Sequence, residues 1–550
     1  MKFFVPKGRY VVVGFSIVFF CMGLYNISAK SLSCDEIIYL PAGYSYLTKF
    51  DYWMNKEHPP LAKLMAGVPL LFLRPTLSTD SPLWGVQSKQ LDYGQQFLFR
   101  DNANTDQIVF WARVPNLLFG VLLGIYVFLW ARDLYGDRAG YVALILASFS
   151  PNILAESTLA MTDIGAACLT FISMYYLWKF LYKDEKQGLW LAGVFLGLSL
   201  ATKFTALSLI PLFMLLTGMR AYSEYRRHPV TPFYRAESWR AMLLHLTRTF
   251  AIAFGVLVLT YGVIHFDRFI AGLWYVIVHN KRGHPAFLMG EHSMGGWPHY
   301  FPIAFLIKTP VALLLLIALT CLLYRKINPK FTEALKRDIF LLLPVAIILG
   351  SAVTSRLNIG IRHILPIYPF LFVFVSQIVL INWHAVTKYV VLSGLAVWYI
   401  IASLAIAPHY VAYFNELIGG PSRGHHYLLD SNIDVGQDLK SLAAYLHSHN
   451  IDKIKLSYFG NDSCDYRGIK CEELGCTPQS GILAVSVNNL VGLSAAQAKC
   501  FVWLRSFRPI KEIGHSIFVY DISESALVET LRTFEPDPTA RSNRNCQFQN

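Results

Sequence analysis

Apolar residues in this chain are gathered into runs of roughly 15 to 25, about the length a helix needs to cross a bilayer at ~1.5 Å rise per residue. Candidate spans fall at 10–28, 108–130, 139–155, 161–179, 189–203, 205–219, 242–264, 301–323, 339–354, 364–382 and 389–407. A chain of 550 residues would ordinarily divide into three or four soluble domains, but 54% hydrophobic and only 15% charged residues exclude that reading. The same figures exclude a collagenous, disordered or nucleic-acid-binding chain. The expectation is a polytopic α-helical membrane protein of about eleven spans. The first run follows Lys2, Lys7 and Arg9 as a signal peptide would, yet no small-residue cleavage site follows, so it reads as a signal anchor.

Lysine and arginine in short loops set orientation. With the N-terminus cytoplasmic, nineteen of the 48 Lys and Arg fall in cytoplasmic segments, which accounts for much of the net +13 without a polyanionic partner. Eleven spans place the C-terminus outside, with large outer segments at 29–107, 265–300 and 408–550. Three cysteines, Cys21, Cys168 and Cys321, sit in apolar runs as small hydrophobes. Cys464, Cys471, Cys476, Cys500 and Cys546 lie in the terminal segment, where an outward location favours disulfides over zinc; Cys34 is a sixth outer thiol, and the pairing is left open.

From residue 408 the pattern changes to short periods separated by turns. Helices are expected at Asp434 to His449 and Ser523 to Phe534, and strands at Lys453 to Tyr458, Gly481 to Val487 and Ser516 to Tyr520. The division is thus a transmembrane domain 1–407, with its first outer loop at 29–107, and an extracytoplasmic α/β domain 408–550 ending in a polar tail from Glu535. The five histidines of 265–300, His265, His279, His284, His292 and His299, have no helical ligand spacing and read as a polar loop with aromatic anchors.

Chemistry concentrates in the stretch Ser33 to Arg74. Asp35 and Glu36 stand just beyond the first span, where a carboxylate is either a solvated juxtamembrane charge or buried for function. Asn55, Glu57, His58, Pro59, Pro60 and Lys63 form a polar knot opening an apolar helix; proline in a first turn costs little because its missing amide has no partner there anyway. Arg113, near the outer end of the second span, either snorkels or grips a phosphate in bidentate fashion. Asp163, with Glu156 nearby, opens the fourth span as an N-cap or as a second outer acid.

The order D-E after the first span, then HPPLAK, then R-x-P-x-x-x-x-G, then T-D before a further span resembles the GT-C fold glycosyltransferases. Within them it is most similar to glycosyltransferase family 39, which includes the protein O-mannosyltransferases and the lipid A aminoarabinose transferases. The match covers roughly residues 10–210 by motif, and AFLIKTPVALLLL, RHILPIYPFLF and YFNELIGGPSRGHHYLLDSNIDVGQDLK look similar to bacterial members. By resemblance Asp35 matches the catalytic aspartate, Glu36 its acidic neighbour and Asp163 the second outer-loop acid. His58, beside Glu57, stands where relatives carry Lys or His near the donor phosphate, and Arg113 matches the phosphate-binding arginine. Val435 departs from the pattern, standing where Trp is expected, which bears on the packing of the terminal domain.

The resemblance implies transfer of a hexosyl or pentosyl group from a polyprenyl-phosphate carrier to a hydroxyl of a protein, lipid A or another glycolipid, on the outer face of a bacterial inner membrane. Simple chemistry agrees. A departing polyprenyl monophosphate is already a weak base and needs no general acid, so one carboxylate, Asp35, suffices as base, and a single displacement inverts the anomeric centre. Cations then stabilise the leaving phosphate: His58, Lys63, Arg113, Lys203 and Arg362. No cofactor is required; a divalent cation could sit at Glu57, His58 or His265, though no spacing compels one. The rival reading is a transporter or lipid flippase without transferase activity, since intramembrane charges also mark transport paths.

Overall fold

A computed structural model describes residues 6–227 and 232–533. The tail from Glu535, with Cys546, and the N-terminal Lys2 lie outside the described residues.

The chain is a multi-pass helical membrane protein. Among the described residues six helices are long and apolar enough to cross a bilayer: Gly8–Ala29, Thr105–Tyr135, Asp163–Lys183, Phe204–Ser223, Trp239–Thr260 and Ala385–Ile406. Their outward faces carry exposed Ile17, Leu118, Leu259 and Ile401, which water would penalise and lipid accommodates. Two further candidates are broken helices. The expected span 139–155 divides into Asp137–Ser148 and Pro151–Ser157, bent by 59°, and the expected span 301–323 into Tyr300–Lys308 and Val311–Leu322, bent by 110°. Both breaks precede a proline, which has no amide to continue the ladder. At the first, the hydroxyl of Ser150 caps the new helix by accepting from the Ile153 amide, and at the second Pro310 adopts ψ 136°. Counting each bent pair once gives up to eight spans, against about eleven expected. The difference lies in Lys186–Leu200, which has only 15 residues, in the 10-residue Ile367–Ser376, and in Phe331–Val353, which carries Glu333, Lys336, Arg337 and Asp338 in its opening turns.

The first outer segment is itself helical. Glu36–Lys49 crosses Leu61–Gly67 so closely that a Cβ on Gly43 would lie 1.9 Å from the carbonyl oxygen of Lys63, and one on Gly67 would lie 2.6 Å from the Gly43 carbonyl. Segment 265–300, expected as a loop, instead forms the helix Asp267–Arg282 followed by a hairpin, β1 (Ala286–Leu288) with β2 (Glu291–Ser293). Phe269, Leu273 and Val276 supply the inward stripe of that helix at helical spacing, while Ile270, Trp274 and Ile277 remain exposed on its other face.

The terminal segment forms a mixed five-stranded sheet from β3 (Lys453–Ser457), β4 (Lys470–Glu473), β5 (Gly481–Ser486), β6 (Lys511–Ile513) and β7 (Ile517–Ile522), in the order β4-β3-β5-β7-β6. β3 runs parallel to β4 and β5, with Leu456 opposite Ala484, whereas β7 is antiparallel to β5 and β6. Leu439, Leu442 and Leu446 of the helix Leu439–Ser448 pack with Ile454, Leu456 and Val519. The helix and strands foreseen here form, with boundaries shifted by a few residues, and β4 and β6 add the two edges. Disulfides join Cys464 to Cys471 and Cys476 to Cys500, and Cys34 is disulfide-bonded as well.

Candidate active site

A cavity of about 740 Å³ opens where the first outer segment, the helix Asp267–Arg282, the turn before Ile367 and the terminal unit meet. Asp35, Glu57, His58, Asp163, Lys203 and Arg362 all line it. Sequence positions spread over more than three hundred residues thus share one wall.

Asp35 is placed by the backbone around it. It precedes the helix Glu36–Lys49, and its carbonyl accepts from the Ile38 and Tyr39 amides at 3.1 Å each, opening the first turn. Its carboxylate lies 3.4 Å from Nη1 of Arg362. Burial pushes the Asp35 carboxyl up, the Arg362 guanidinium pulls it down, and the nearby Asp163 and Glu36 push it up again; the balance is raised above the ordinary range. Arg362 itself offers unused donors: among the described residues its Nη1 meets, besides Asp35, only the Met161 sulfur at 3.9 Å, and its buried Nε has no partner there.

Opposite, Asp163 opens the helix Asp163–Lys183 and pairs with Lys203 Nζ at 2.5 Å. Thr162 is the N-cap residue of that helix, and the Asp163 charge sits in the first turn, where the helix dipole favours an acid. Lys203 is held by the break between Lys186–Leu200 and Phe204–Ser208. His58 contacts the Tyr39 ring edge-on at 5.9 Å, and burial with Lys63 and Lys203 nearby lowers its pKa to about 3, so it is a neutral imidazole at working pH. Glu57 has one buried oxygen, Oε2, with no hydrogen-bond partner among the described residues.

Three of the expected catalytic and phosphate-binding residues do not reach the cavity. Arg113 was expected to hold the donor phosphate, but it is fully buried and its donors are engaged: Nε and Nη2 reach the Glu36 carboxylate at 2.8 and 2.6 Å, and Nη1 and Nη2 reach the Lys30 and Ser31 carbonyls at 3.2 and 2.5 Å. Glu36, expected in the chemistry beside Asp35, is likewise saturated, for it also accepts from the Ser33 amide at 2.8 Å and the Ala160 amide at 2.7 Å. Burial alone would raise its pKa; Arg113 and the two amides hold it below the ordinary range instead. Lys63, the third, donates to Asn55 O, Asn55 Oδ1 and His58 O at 2.6, 3.0 and 2.7 Å, so it ties the knot that presents Glu57 and His58. Both cations are built inward as braces, whereas Lys203 and Arg362 line the cavity.

Of the candidate metal ligands, Glu57 and His58 share the wall, while His265 stacks on Tyr52 at 4.9 Å, away from it. No group of three or more His, Cys, Asp or Glu placed to hold a metal occurs among the described residues. The cavity also includes residues that sequence reasoning passed over, among them Tyr39, one turn after Asp35, and Asn461 of the terminal unit. Tyr39 had a local signal, its i+4 spacing from Asp35; Asn461 had none. Val435, the departure from the family pattern, packs with Leu159 and Met161 at the cavity rim, and its carbonyl accepts from the Cys34 amide at 2.8 Å.

Residues 106–231 match the family model of dolichyl-phosphate-mannose-protein mannosyltransferase. No curated protein matches the chain by sequence. Among solved structures the chain is similar to ArnT from Cupriavidus metallidurans bound to undecaprenyl phosphate, at 12% identity and TM-score 0.48 over 94% of this chain and 98% of that one. It is also similar to the S. cerevisiae protein O-mannosyltransferase complex bound to the sugar donor, at 16% identity and TM-score 0.37 over 49% and 35%. A third similarity is to the oligosaccharyltransferase AglB from Archaeoglobus fulgidus with an inhibitory peptide and a dolichol-phosphate, at 10% identity and TM-score 0.42 over 90% and 71%. The family model covers the stretch that holds Arg113, Asp163 and Lys203, part of the region whose motifs carry the resemblance.

Proposed function

We propose that this chain is a membrane glycosyltransferase that moves a hexosyl or pentosyl group from a polyprenyl-phosphate carrier to a hydroxyl of a protein or glycolipid at the outer face of the membrane. The observation that carries the reading is the cavity in which a raised carboxylate, Asp35, stands 3.4 Å from an arginine with unused donors, Arg362. Asp35 takes the proton of the acceptor hydroxyl as its oxygen attacks the anomeric carbon. The bond from that carbon to the phosphate oxygen breaks in the same step, inverting the centre, and the phosphate leaves without a proton donor. Arg362 and Lys203 face the oxygens that gain charge, each commonly worth a few kcal/mol in the transition state. The elevated Asp35 carboxyl suits a base that must be ionised yet retain affinity for a proton.

In this reading 1–407 is the transferase domain, with its N-terminus cytoplasmic, and 408–550 is an extracytoplasmic domain. Basic residues of the expected cytoplasmic loops, such as Arg132, Lys179, Arg325 and Lys388, support that orientation. The test is Asp35→Asn in proteoliposomes supplied with a polyprenyl-phosphate sugar. Transfer should fall by about 10³-fold or more while carrier binding persists. Unchanged turnover would remove Asp35 as the base, and lipid translocation without transfer would favour a flippase.

A further inference from the structure

The terminal sheet meets the cavity through the loop beyond one of its parallel strands, β3. In open α/β sheets the loops beyond the carboxyl ends of such strands are where ligands and functional groups gather. Here the loop after β3, residues 458–463, runs beside Asp35. Asn461 is 4% exposed and lines the cavity. Its Nδ2 donates to the carbonyl of Cys34 at 3.1 Å, and its own carbonyl accepts from Gln95 Nε2 at 2.7 Å. The peptide group immediately before the proposed base is therefore held by a side chain from the other end of the sequence.

A second loop of the terminal unit completes the grip. The Ser31 amide donates to Gln437 O at 2.9 Å, the Cys34 amide to Val435 O at 2.8 Å and the Lys440 amide to Ser31 Oγ at 2.6 Å. The two loops are also joined to each other: Tyr458 donates its hydroxyl to the Gly436 carbonyl. Gly436 has φ 83°, and a Cβ there would lie 2.8 Å from Gly460 Cα, so a glycine is what lets the loops close. Such construction exceeds what a domain that merely covers an opening needs.

We infer that the terminal α/β unit is part of the active site, with Asn461 a positioning residue that fixes the Cys34–Asp35 peptide, and so aims the Asp35 carboxylate at the acceptor hydroxyl. This rests on the reading of Asp35 as base. An ordered base is worth much: misplacing a reacting group by about 1 Å commonly costs ~10²-fold in rate. Losing one hydrogen bond to the preceding carbonyl should fall short of that.

The experiment compares Asn461→Ala, Asn461→Asp and Gln95→Ala with wild type, using the full-length protein in proteoliposomes and a polyprenyl-phosphate sugar. Asn461→Ala should lower kcat about 10- to 100-fold with donor KM little changed. Asn461→Asp keeps the shape, but removes the donor and adds a negative charge near Asp35, so the acid limb of kcat should move to higher pH. Gln95→Ala, which frees Asn461 only indirectly and spares the loop if Asn461→Ala fails to fold, should give a smaller kcat loss. Lys453→Ala, which breaks an exposed ion pair with Glu472 at the sheet edge, serves as a control and should leave kcat unchanged. Wild-type kcat and pH profiles in both folded Asn461 variants would overturn the inference, as would equal losses in Lys453→Ala. If wild type itself transfers nothing, or Asp35→Asn is as active as wild type, it is the proposed function that fails.

Discussion

Arg113 separates two readings of the site most sharply. If it brackets the donor phosphate, Arg113→Leu should weaken donor binding and leave the fold intact. The geometry forecasts the reverse. Arg113 and Glu36 are both 0% exposed, and the pair has two contacts of 2.6 and 2.8 Å. Removing the guanidinium leaves a carboxylate buried with only the Ser33 and Ala160 amides for company, a situation that costs about 3–5 kcal/mol, or ~10²- to 10⁴-fold in the ratio of folded to unfolded protein. Arg113→Leu should therefore melt several degrees lower in detergent, followed by tryptophan fluorescence, and the same loss should appear in Glu36→Gln. The double variant should be less damaged than the sum, by about 1–3 kcal/mol, because neither partner is then stranded. The pH dependence has a definite sign. Glu36 is held below its ordinary pKa in the folded protein, so its stabilisation is present above the unfolded value of about 4.3 and is lost as pH falls through the folded value. A folded Arg113→Leu protein with wild-type melting, wild-type acid tolerance and a raised donor KM would refute the reasoning and return Arg113 to the phosphate.

Arg362→Ala should lower kcat/KM for a polyprenyl-phosphate sugar about 10²- to 10³-fold. It should also move the acid limb of kcat/KM to higher pH, since the cation that lowers the Asp35 carboxyl is gone; a pH series of initial rates reads both. His58→Gln should leave the shape of the pH profile between about pH 5 and 8 unaltered, because the imidazole, lowered to about 3, does not titrate there; loss of a limb in that interval would contradict its neutrality. Reduction of Cys464–Cys471 and Cys476–Cys500 should loosen the terminal unit by roughly 2–4 kcal/mol and reduce transfer, measured as activity and proteolytic resistance with and without dithiothreitol.

The wall-lining acids were legible in the sequence because each stands at or beside the end of an apolar run, where burying a charge needs a reason. Asp35, Glu57 and Asp163 are of that kind, as is Arg362 among the cations. Arg113 and Lys63 looked the same from the sequence and proved to be braces. What separates an arginine facing a ligand from one facing inward is the position of a carboxylate seventy-seven residues away, Glu36, and local pattern does not contain it. The same limit hid Asn461, whose partner Cys34 is 427 positions distant. The helix Asp267–Arg282 was missed for another reason: its inward stripe is only Phe269, Leu273 and Val276, and five histidines scattered over the segment drew the eye to polarity instead of period. The broken spans at Pro151 and Pro310 were visible as prolines, but an apolar run interrupted by one proline reads equally as a kinked span.

The crossing at Gly43 and Gly67 gives the first outer segment a property that none of its reactive groups supplies. Asp35 stands at the N-terminus of one of the two crossing helices, while Glu57 and His58 stand in the turn that opens the other. The spacing between Asp35 and the Glu57–His58 turn is thus gauged chiefly by main chain against main chain. One added methyl at either glycine would prise these side chains apart while leaving every one of them chemically intact. For the proposed transferase the expected outcome is a protein that keeps Asp35, Glu57 and His58 and still transfers poorly.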